Sequence, residues 1–313
     1  MKVFSSWEEA SEDSSVKHGA MTVGNFDGVH MGHQQILAEL KGHARAVGGP
    51  AIAVTFEPHP RAVLFPAEAP RRLCHLHERL EYLEATGLDA VLLLPFTKEL
   101  AQWSAEDFSR KLYASFSFRH FHVGYDFAFG RDRMGHIDDL RNYGEIAGFT
   151  VTEAAAFEMA QAVVSSSRIR SAVEAADFAL AGRLLGRDYA ITGTVQHGDK
   201  RGREMNFPTV NIDVADLAHP PVGIYAVHVT SPDTGEQWGG AAYLGFRPTF
   251  NGRTLLLETY IFDVDRDFYG QDLCVMFVAR LREDRAFSNH EELAGQIADD
   301  CKKAKILLAE IIK

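Results

Sequence analysis

The chain has few cysteines and no long apolar run, and each shortage excludes a class of protein. Cys74, Cys274 and Cys301 are its three cysteines, and no two of them form a Cys-x-x-Cys pair. A disulfide framework is therefore not expected. No apolar stretch approaches the roughly 20 residues that cross a bilayer. The N-terminal stretch is acidic and lacks the apolar centre of a secretion signal, so we expect a cytoplasmic protein with no membrane partner.

Basic residues are also fewer than acidic residues. The 32 Lys and Arg residues face 43 Asp and Glu residues, which gives a formal net charge of −11 at pH 7. A general nucleic-acid-binding protein carries a basic surface, so nucleic acid is not an expected partner. A local cluster of arginines could still bind a small anion. The 313 residues show no internal repeat and are enough for about two domains.

The first half of the chain alternates short apolar strands with helices. We predict strands over residues 20–23, 51–56, 90–95, 120–124 and 148–153. We predict helices over residues 33–47, 75–86, 105–115 and 137–147. This alternation is typical of βαβ units and a parallel sheet, whose ligands bind at the carboxyl ends of the strands.

The second half is rich in strands. It begins after an Ala- and Leu-rich helix predicted over residues 171–185, so we place the domains at 1–182 and 183–313. A final helix is predicted over residues 290–312, with a Ser288/Glu291 capping box. Short strands with turn signals at this spacing predict an antiparallel barrel or sandwich. The strand-like segments lie at 191–198, 209–214, 223–231, 239–246, 255–264 and 272–281.

Residues 24–33, GNFDGVHMGH, form the most informative segment of the chain. They follow a predicted strand and open a helix, where unpaired N–H groups face an anion. His30 and His33 are three residues apart and can reach the same phosphate, offering donors and positive charge. The glycine spacing differs from that of a dinucleotide fingerprint, and no GK[ST] follows. Alone, the pair could be a surface feature or part of a metal site, although a third ligand is missing.

Three further segments end at or near the same edge of the predicted sheet. Residues 164–170, VSSSRIR, place three serines at a predicted helix N-terminus before Arg168 and Arg170, which makes an anion cradle. Residues 56–61, FEPHPR, follow the second strand, and residues 123–130, VGYDFAFG, follow the fourth. Taken singly, the serines are an N-cap and the aromatic residues are core. Two anion cradles at one sheet edge favour a ligand site.

In the second half, polar side chains interrupt apolar strands. Thr209 and Asn211 are two residues apart on a predicted strand and so share a face, where two hard oxygens could hold Mg²⁺. Glu258 lies inside the apolar run LLLETYIF. A carboxylate buried there must be paired or functional, and the alternative is a side chain that faces outward.

On these segments the chain resembles the bacterial bifunctional riboflavin kinase/FAD synthetase family from about Thr22 onward. GNFDGVHMGH, FEPHPR, VGYDFAFG and SSSRIR look like its adenylyltransferase motifs, and HGDKRGREMNFPTVNI, LGFRPTF and LLLETYIFDV look like its kinase module. The resemblance implies a Rossmann-like nucleotidyltransferase domain that joins FMN and ATP into FAD and pyrophosphate. It also implies a six-stranded antiparallel barrel with a C-terminal helix, which phosphorylates riboflavin with ATP and Mg²⁺.

The resemblance also implies roles for single residues. In the first domain it implies catalytic roles for His30, His33 and Arg170. It implies that ATP is bound by Gly24, Asn25, Phe26, Asp27, Ser166 and Ser167. It implies that the flavin is bound by Phe56, His59, Asp126 and Phe129. In the second it makes Glu258 the catalytic base, Thr209 and Asn211 metal ligands, and Gly198, Gly202 and Arg203 the nucleotide loop. Two alternatives stay open: a synthetase whose kinase half is weak or inactive, and a non-catalytic flavin-binding regulator.

Overall fold

The computed structural model describes residues 1–197, 207–214, 216–249 and 252–311. The chain forms two compact units. The first consists of Met1–Pro70 and Leu76–Ser165, and the second of Arg71–His75 and Ser166–Lys313. In the part of the chain that the structure describes, no helix has both the length and the apolar character needed to cross a membrane.

The first unit contains a six-stranded parallel sheet in the order β1-β4-β3-β2-β5-β6. From β2 the chain runs outward through β3 and β4 on one side, and through β5 and β6 on the other. The carboxyl end of β2 is therefore the switch point at which doubly wound sheets bind ligands. The strands are β1 (Lys2–Phe4), β2 (Ala20–Val23), β3 (Ala51–Glu57), β4 (Ala90–Pro95), β5 (His120–Val123) and β6 (Thr150–Glu153), with a short antiparallel pair β7 (Glu158–Met159) and β8 (Ala162–Val163).

Helices cover both faces of this sheet, so alternate strand residues enter two different cores. Met21 and Ile52 face a core rich in phenylalanine, whereas Ala20 and Ala53 face a core of leucines from two helices. The helices are α1 (Trp7–Glu12), α2 (Met31–Val47), α3 (Pro60–Leu64), α4 (Leu76–Ala85), α5 (Lys98–Ala101), α6 (Ala105–Phe116) and α7 (Ile137–Ala147).

The parallel α/β prediction is confirmed, and two details of it are wrong. The sequence pattern missed β1, because three residues are too few to show a period. The last strand begins at Thr150 rather than at Gly148. Gly148 instead ends α7 in the left-handed conformation (φ 88°), with its N–H donating to the carbonyl of Gly144.

The second unit is a six-stranded antiparallel sheet in the order β10-β13-β12-β11-β14-β9. The chain beyond β9 meets the opposite edge, where the Gln196 N–H donates to the Asn211 carbonyl at 2.8 Å. The sheet is thus a nearly closed barrel, and all six predicted strands are confirmed. They are β9 (Ala190–Thr194), β10 (Thr209–Asp213), β11 (Gly223–Thr230), β12 (Gln237–Thr249), β13 (Gly252–Ile261) and β14 (Asp272–Glu283).

Helices flank the barrel in sequence, and two predictions about them are wrong. The single helix predicted over 171–185 is two, α8 (Ser166–Glu174) and α9 (Phe178–Leu185), because the Asp177 carboxylate caps a new start by accepting from the Leu180 N–H at 2.9 Å. The last helix, α10 (His290–Ile311), is capped one residue later than predicted. Asn289 Oδ1 accepts from the Glu292 N–H, and the Glu292 carboxylate accepts from Ser288.

Candidate active sites

The loop between β2 and α2 has an unusual backbone. Phe26, Gly28 and Val29 all lie in the left-handed region, with φ of 48°, 76° and 39°. A β-branched residue such as Val29 rarely adopts that conformation, and such strain concentrates at ligand-binding sites. Val29 is 1% exposed, and its carbonyl accepts from the Gln34 side chain at 2.9 Å. Packing therefore holds a sharply bent loop at the switch point of the sheet.

His30 and His33 form a stacked pair at the start of α2. Their ring centroids are 3.6 Å apart and the rings are 15° from parallel. His30 is the N-cap of the helix, and its Nδ1 accepts from the His33 N–H at 3.3 Å. With Nδ1 as the acceptor, a neutral His30 ring carries its proton on Nε2.

His33 is neutral at pH 7, which corrects the expectation that it supplies positive charge. Burial, and secondarily the neighbouring His30, hold the pKa of His33 well below its usual value. The residue keeps some accessible surface, but its Nδ1 is buried without a hydrogen-bond partner in the described part of the chain. The pair therefore offers polar ring nitrogens to a ligand. An anion bound beside them would raise the pKa of His33 again.

The glycines of this loop serve its own packing as well as ligand access. A Cβ on Gly32 would lie 3.3 Å from two atoms of the His30 ring, and a Cβ on Gly24 would lie 3.0 Å from the Phe26 ring. Phe26 in turn meets His33 edge-to-face at 5.2 Å. Asn25 is exposed and Asp27 is buried. The loop thus presents Asn25 outward from a tightly packed base.

Arg79 of α4 is a part of this region that the sequence analysis missed. Its guanidinium is buried and donates to the carbonyls of Asn25 and Phe56, both at 3.2 Å, and to the Glu57 carboxylate at 2.7 Å. It thereby joins the loop after β2 to the end of β3. One signal was available, since Arg79 falls on the apolar stripe of α4, four residues before the buried Leu83.

Replacing Arg79 with methionine should destabilise the first unit by about 3 kcal/mol, because it leaves the Glu57 carboxylate without its buried partner. Denaturant unfolding of the full chain measures this loss. Arg110→Met is the matched control, since its ion pair with Glu106 is exposed and is worth about 0.5 kcal/mol or less. Equal unfolding midpoints for the two variants would contradict this role of Arg79.

The residues expected on the flavin side lie at the end of β3 or in the segments that follow β3 and β5, at the carboxyl edge of the sheet. Phe56 is half-buried and meets Phe96 edge-to-face at 5.6 Å. His59 caps α3, its Nδ1 accepting from the Arg61 N–H at 3.2 Å. Asp126 is exposed, whereas Phe129 is 8% exposed and belongs to the phenylalanine-rich core. Asp126, Phe56 and His59 thus have accessible surface, and Phe129 has little.

Ser166, Ser167 and Arg170 lie at the start of α8, in the second unit. Arg170 is anchored, with its Nε donating to the Arg71 carbonyl at 2.6 Å. The histidine pair belongs to the first unit. The expected common role of His30 and Arg170 therefore stays a prediction.

In the barrel, strand register brings Thr209, Asn211 and Glu258 to one face. Asn211 pairs directly with Glu258, and Thr209 with Tyr260, so all four side chains lie on the same side of β10 and β13. The alternate residues, among them Ile212 and Leu257, are buried in the barrel. Asn211 is itself buried, and its Nδ2 donates to the Thr209 carbonyl at 3.5 Å, which leaves Oδ1 as its acceptor.

Glu258 is paired, as a carboxylate in an apolar strand must be. Both of its oxygens accept from the Arg247 guanidinium, with Nη2 to Oε2 at 2.8 Å, and its side chain is 14% exposed. Arg247 lies within the segment LGFRPTF, but its residue pattern indicated no role for this arginine. A bidentate pair uses about half of the lone-pair positions of a carboxylate, so Glu258 can still accept a further hydrogen bond.

Tyr243 lies opposite Glu258 on the other neighbouring strand. Its hydroxyl donates to Asp284 at 3.0 Å, and burial together with this carboxylate raises the pKa of Tyr243 to about 12. A Cβ on Gly245 would lie 2.1 Å from the Tyr243 hydroxyl, so glycine is needed there. Gly198, Gly202 and Arg203, the expected nucleotide loop, lie outside the described residues.

These two sites define a class of protein. A histidine pair at a helix N-terminus of a doubly wound sheet suits nucleotidyl transfer, and a Thr–Asn–Glu face suits phosphorylation of an alcohol. Residues 12–168 match the FAD synthetase family, and residues 185–308 match the riboflavin kinase family. The chain belongs to the bifunctional riboflavin kinase/FMN adenylyltransferase family and combines a kinase with a nucleotidyltransferase.

Individual relatives match over nearly their whole length. The bifunctional riboflavin kinase/FMN adenylyltransferase of Pseudomonas fluorescens is 41% identical over 290 residues, which is 92% of each chain. That of Escherichia coli K12 is 37% identical over 282 residues, or 90% of each chain. A solved structure described as a macrolide-efflux protein from Streptococcus pneumoniae superposes with a TM-score of 0.82 and 27% identity, covering 96% of this chain and 97% of that one.

Proposed function

We propose that residues 183–313 phosphorylate riboflavin to FMN and that residues 1–182 adenylylate FMN to FAD. The observation that carries the proposal is the register in which Asn211 pairs with Glu258 while Thr209 shares their face. The proposed boundary falls between the two family matches, which end at residue 168 and begin at residue 185. We also propose a cytoplasmic location, because both reactions consume ATP and the cysteines show no disulfide pattern.

The adenylyl transfer needs no general base, because the phosphate of FMN is already an anion at pH 7. Its oxygen attacks the α-phosphorus of ATP, the bond to the β-phosphate breaks, and pyrophosphate leaves. The reaction requires in-line placement and neutralisation of charge. The N–H groups at the start of α2 and the donor on His30 Nε2 are suited to that. We assign Ser166, Ser167 and Arg170 to the same task, and His33 to placement of the phosphates rather than to charge neutralisation.

The remaining assignments in this domain concern binding. The loop residues Gly24, Asn25, Phe26 and Asp27 are proposed for the adenosine part of ATP. The flavin is proposed to lie against the ends of β3 and β5, where Phe56, His59 and Asp126 have accessible surface. Phe129 contributes through the core beneath that surface.

The kinase step does need a base, because the ribityl hydroxyl of riboflavin is protonated. Glu258 takes that proton, the oxygen attacks the γ-phosphorus of ATP, and ADP leaves. Thr209 and Asn211 offer a hydroxyl and an amide oxygen, which are the hard ligands that Mg²⁺ prefers. When bound there, Mg²⁺ spreads the negative charge of the phosphates. Gly198, Gly202 and Arg203 are proposed for the nucleotide loop.

Incubation of the purified protein with riboflavin, ATP and Mg²⁺ should yield both FMN and FAD, resolved by chromatography. If FAD arises only from added FMN, the kinase half is inactive and the first alternative is correct. If neither product forms while flavin stays bound, the protein is a flavin carrier and the proposal fails. Chelation of Mg²⁺ before mixing is the control, and it should stop the formation of FMN.

A further inference from the structure

Three histidines of the first unit converge away from the loop site. His43 lies on α2, while His120 and His122 are two residues apart on β5 and so point to the same face of the sheet. One ring nitrogen of each lies within 4.8 Å of one from each of the others. His43 follows His33 by ten residues on one helix, about 15 Å along its axis. The cluster is therefore separate from the catalytic histidines.

The three imidazoles point at a single oxygen. The Thr152 hydroxyl lies 2.8 Å from His120 Nε2, 2.8 Å from His122 Nδ1 and 3.3 Å from His43 Nε2. A hydroxyl donates one hydrogen bond and accepts two, so one ring nitrogen accepts from Thr152 and the other two donate to it. Three imidazole nitrogens directed at one point are also the arrangement that surrounds zinc in three-histidine sites.

The outward-facing nitrogens of two rings are held as metal-binding histidines usually are. His122 Nε2 bonds the Glu39 carboxylate at 3.0 Å, and His120 Nδ1 bonds the Thr150 hydroxyl at 2.7 Å. Glu39 is itself oriented by the Gln35 side chain at 2.7 Å. A carboxylate or hydroxyl on the second nitrogen fixes the ring and directs the first nitrogen at the metal.

Burial also disfavours the protonated form of two of the rings. Burial, and then the neighbouring His43 and His122, lower the pKa of His120 to about 4, and burial likewise lowers the pKa of His122.

We propose that His43, His120 and His122 bind a divalent transition-metal ion of the zinc class, with Glu39 and Thr150 orienting two of the rings. Zinc–nitrogen bonds of about 2.0–2.1 Å place ligand nitrogens about 3.3 Å apart in a tetrahedron. The nitrogens must therefore approach by about 1.5 Å at most, and the Thr152 hydroxyl must rotate aside. His43 is half-buried on the helix and is the ring that can turn. A bound ion would tie α2 to β5.

Titration of the chelator-treated full chain with Zn²⁺ in a calorimeter tests this site. We expect one zinc ion per chain, visible absorption bands of a four-coordinate ion with Co²⁺, and a higher melting temperature in zinc. His43→Gln should abolish stoichiometric binding. Glu39→Gln should weaken it by about 10- to 100-fold, since it removes the partner of His122.

Two further variants locate the ion. His290→Gln, at an exposed histidine of α10, and His30→Ala, in the histidine pair, should both keep one zinc per chain. Zinc that is lost in His30→Ala would place the ion at the catalytic pair and overturn the proposal. So would a failure of the unaltered chain to bind zinc, which would make the cluster a hydrogen-bonded network only. Circular dichroism checks that His43→Gln is folded, and Glu39→Gln tests the site independently of any ligand substitution.

Discussion

Glu258→Gln should lower the rate of FMN formation by about 10²- to 10⁴-fold, while FAD formation from added FMN stays within about twofold. The amide keeps the shape of the side chain but cannot accept the ribityl proton. Because the adenylyl step uses an already ionised phosphate, it does not depend on this carboxylate. Chromatography of the two reactions, run separately with riboflavin and with FMN, measures both rates.

The ion pair with Arg247 provides a second explanation for a loss of FMN formation in Glu258→Gln. The experiment must distinguish it from the loss of a catalytic base. If Glu258 serves only to hold the guanidinium, the loss would come from a misplaced Arg247 rather than from a missing base. The double variant Glu258→Gln/Arg247→Gln removes that pair altogether. Recovery of FMN formation in the double variant would show that Glu258 is structural. Glu283→Gln, at an exposed carboxylate of β14, is the control and should change neither rate.

Much of the fold could be predicted because most strands and helices are indicated by short stretches of consecutive residues. The predicted strands β2, β3 and β4 are short apolar runs, and in the parallel sheet both faces of such a run are buried. The helix over 171–185 went wrong for a local reason as well. Its composition is uniformly helical, but Asp177 supplies a cap that starts a second helix, and Ala176 adopts the left-handed conformation (φ 56°). Composition does not reveal where a cap overrides propensity.

The partners of the site residues could not be predicted, because they are distant in sequence. Arg79 reaches Asn25 across 54 residues, and His122 reaches Glu39 across 83. Even Arg247 and Glu258, only 11 residues apart, meet because β12 and β13 are adjacent strands. Motifs identified which residues carry chemistry, whereas the protonation state of His33 depends on a burial that only the fold creates.

His30→Asn should lower FAD formation by about 10²- to 10³-fold and leave FMN formation unchanged. In the structure His30 Nδ1 caps α2, and we have proposed that its Nε2 donates to a phosphate. Asparagine is a good N-cap and keeps the acceptor for the His33 N–H, but it lacks the ring and its second nitrogen. The variant therefore separates helix capping from the chemistry, in which one lost donor costs about 10²- to 10³-fold.

His30→Ala completes the comparison, because it removes both tasks. It should lose as much FAD formation as His30→Asn and, in addition, about 1 kcal/mol of stability from the missing cap. Denaturant unfolding measures the second effect, and the separate FMN and FAD assays measure the first. If His30→Asn formed FAD at the full rate while His30→Ala did not, capping would be the whole contribution of His30. The donor role of its Nε2 would then be wrong, and charge neutralisation in this domain would have to come from other groups.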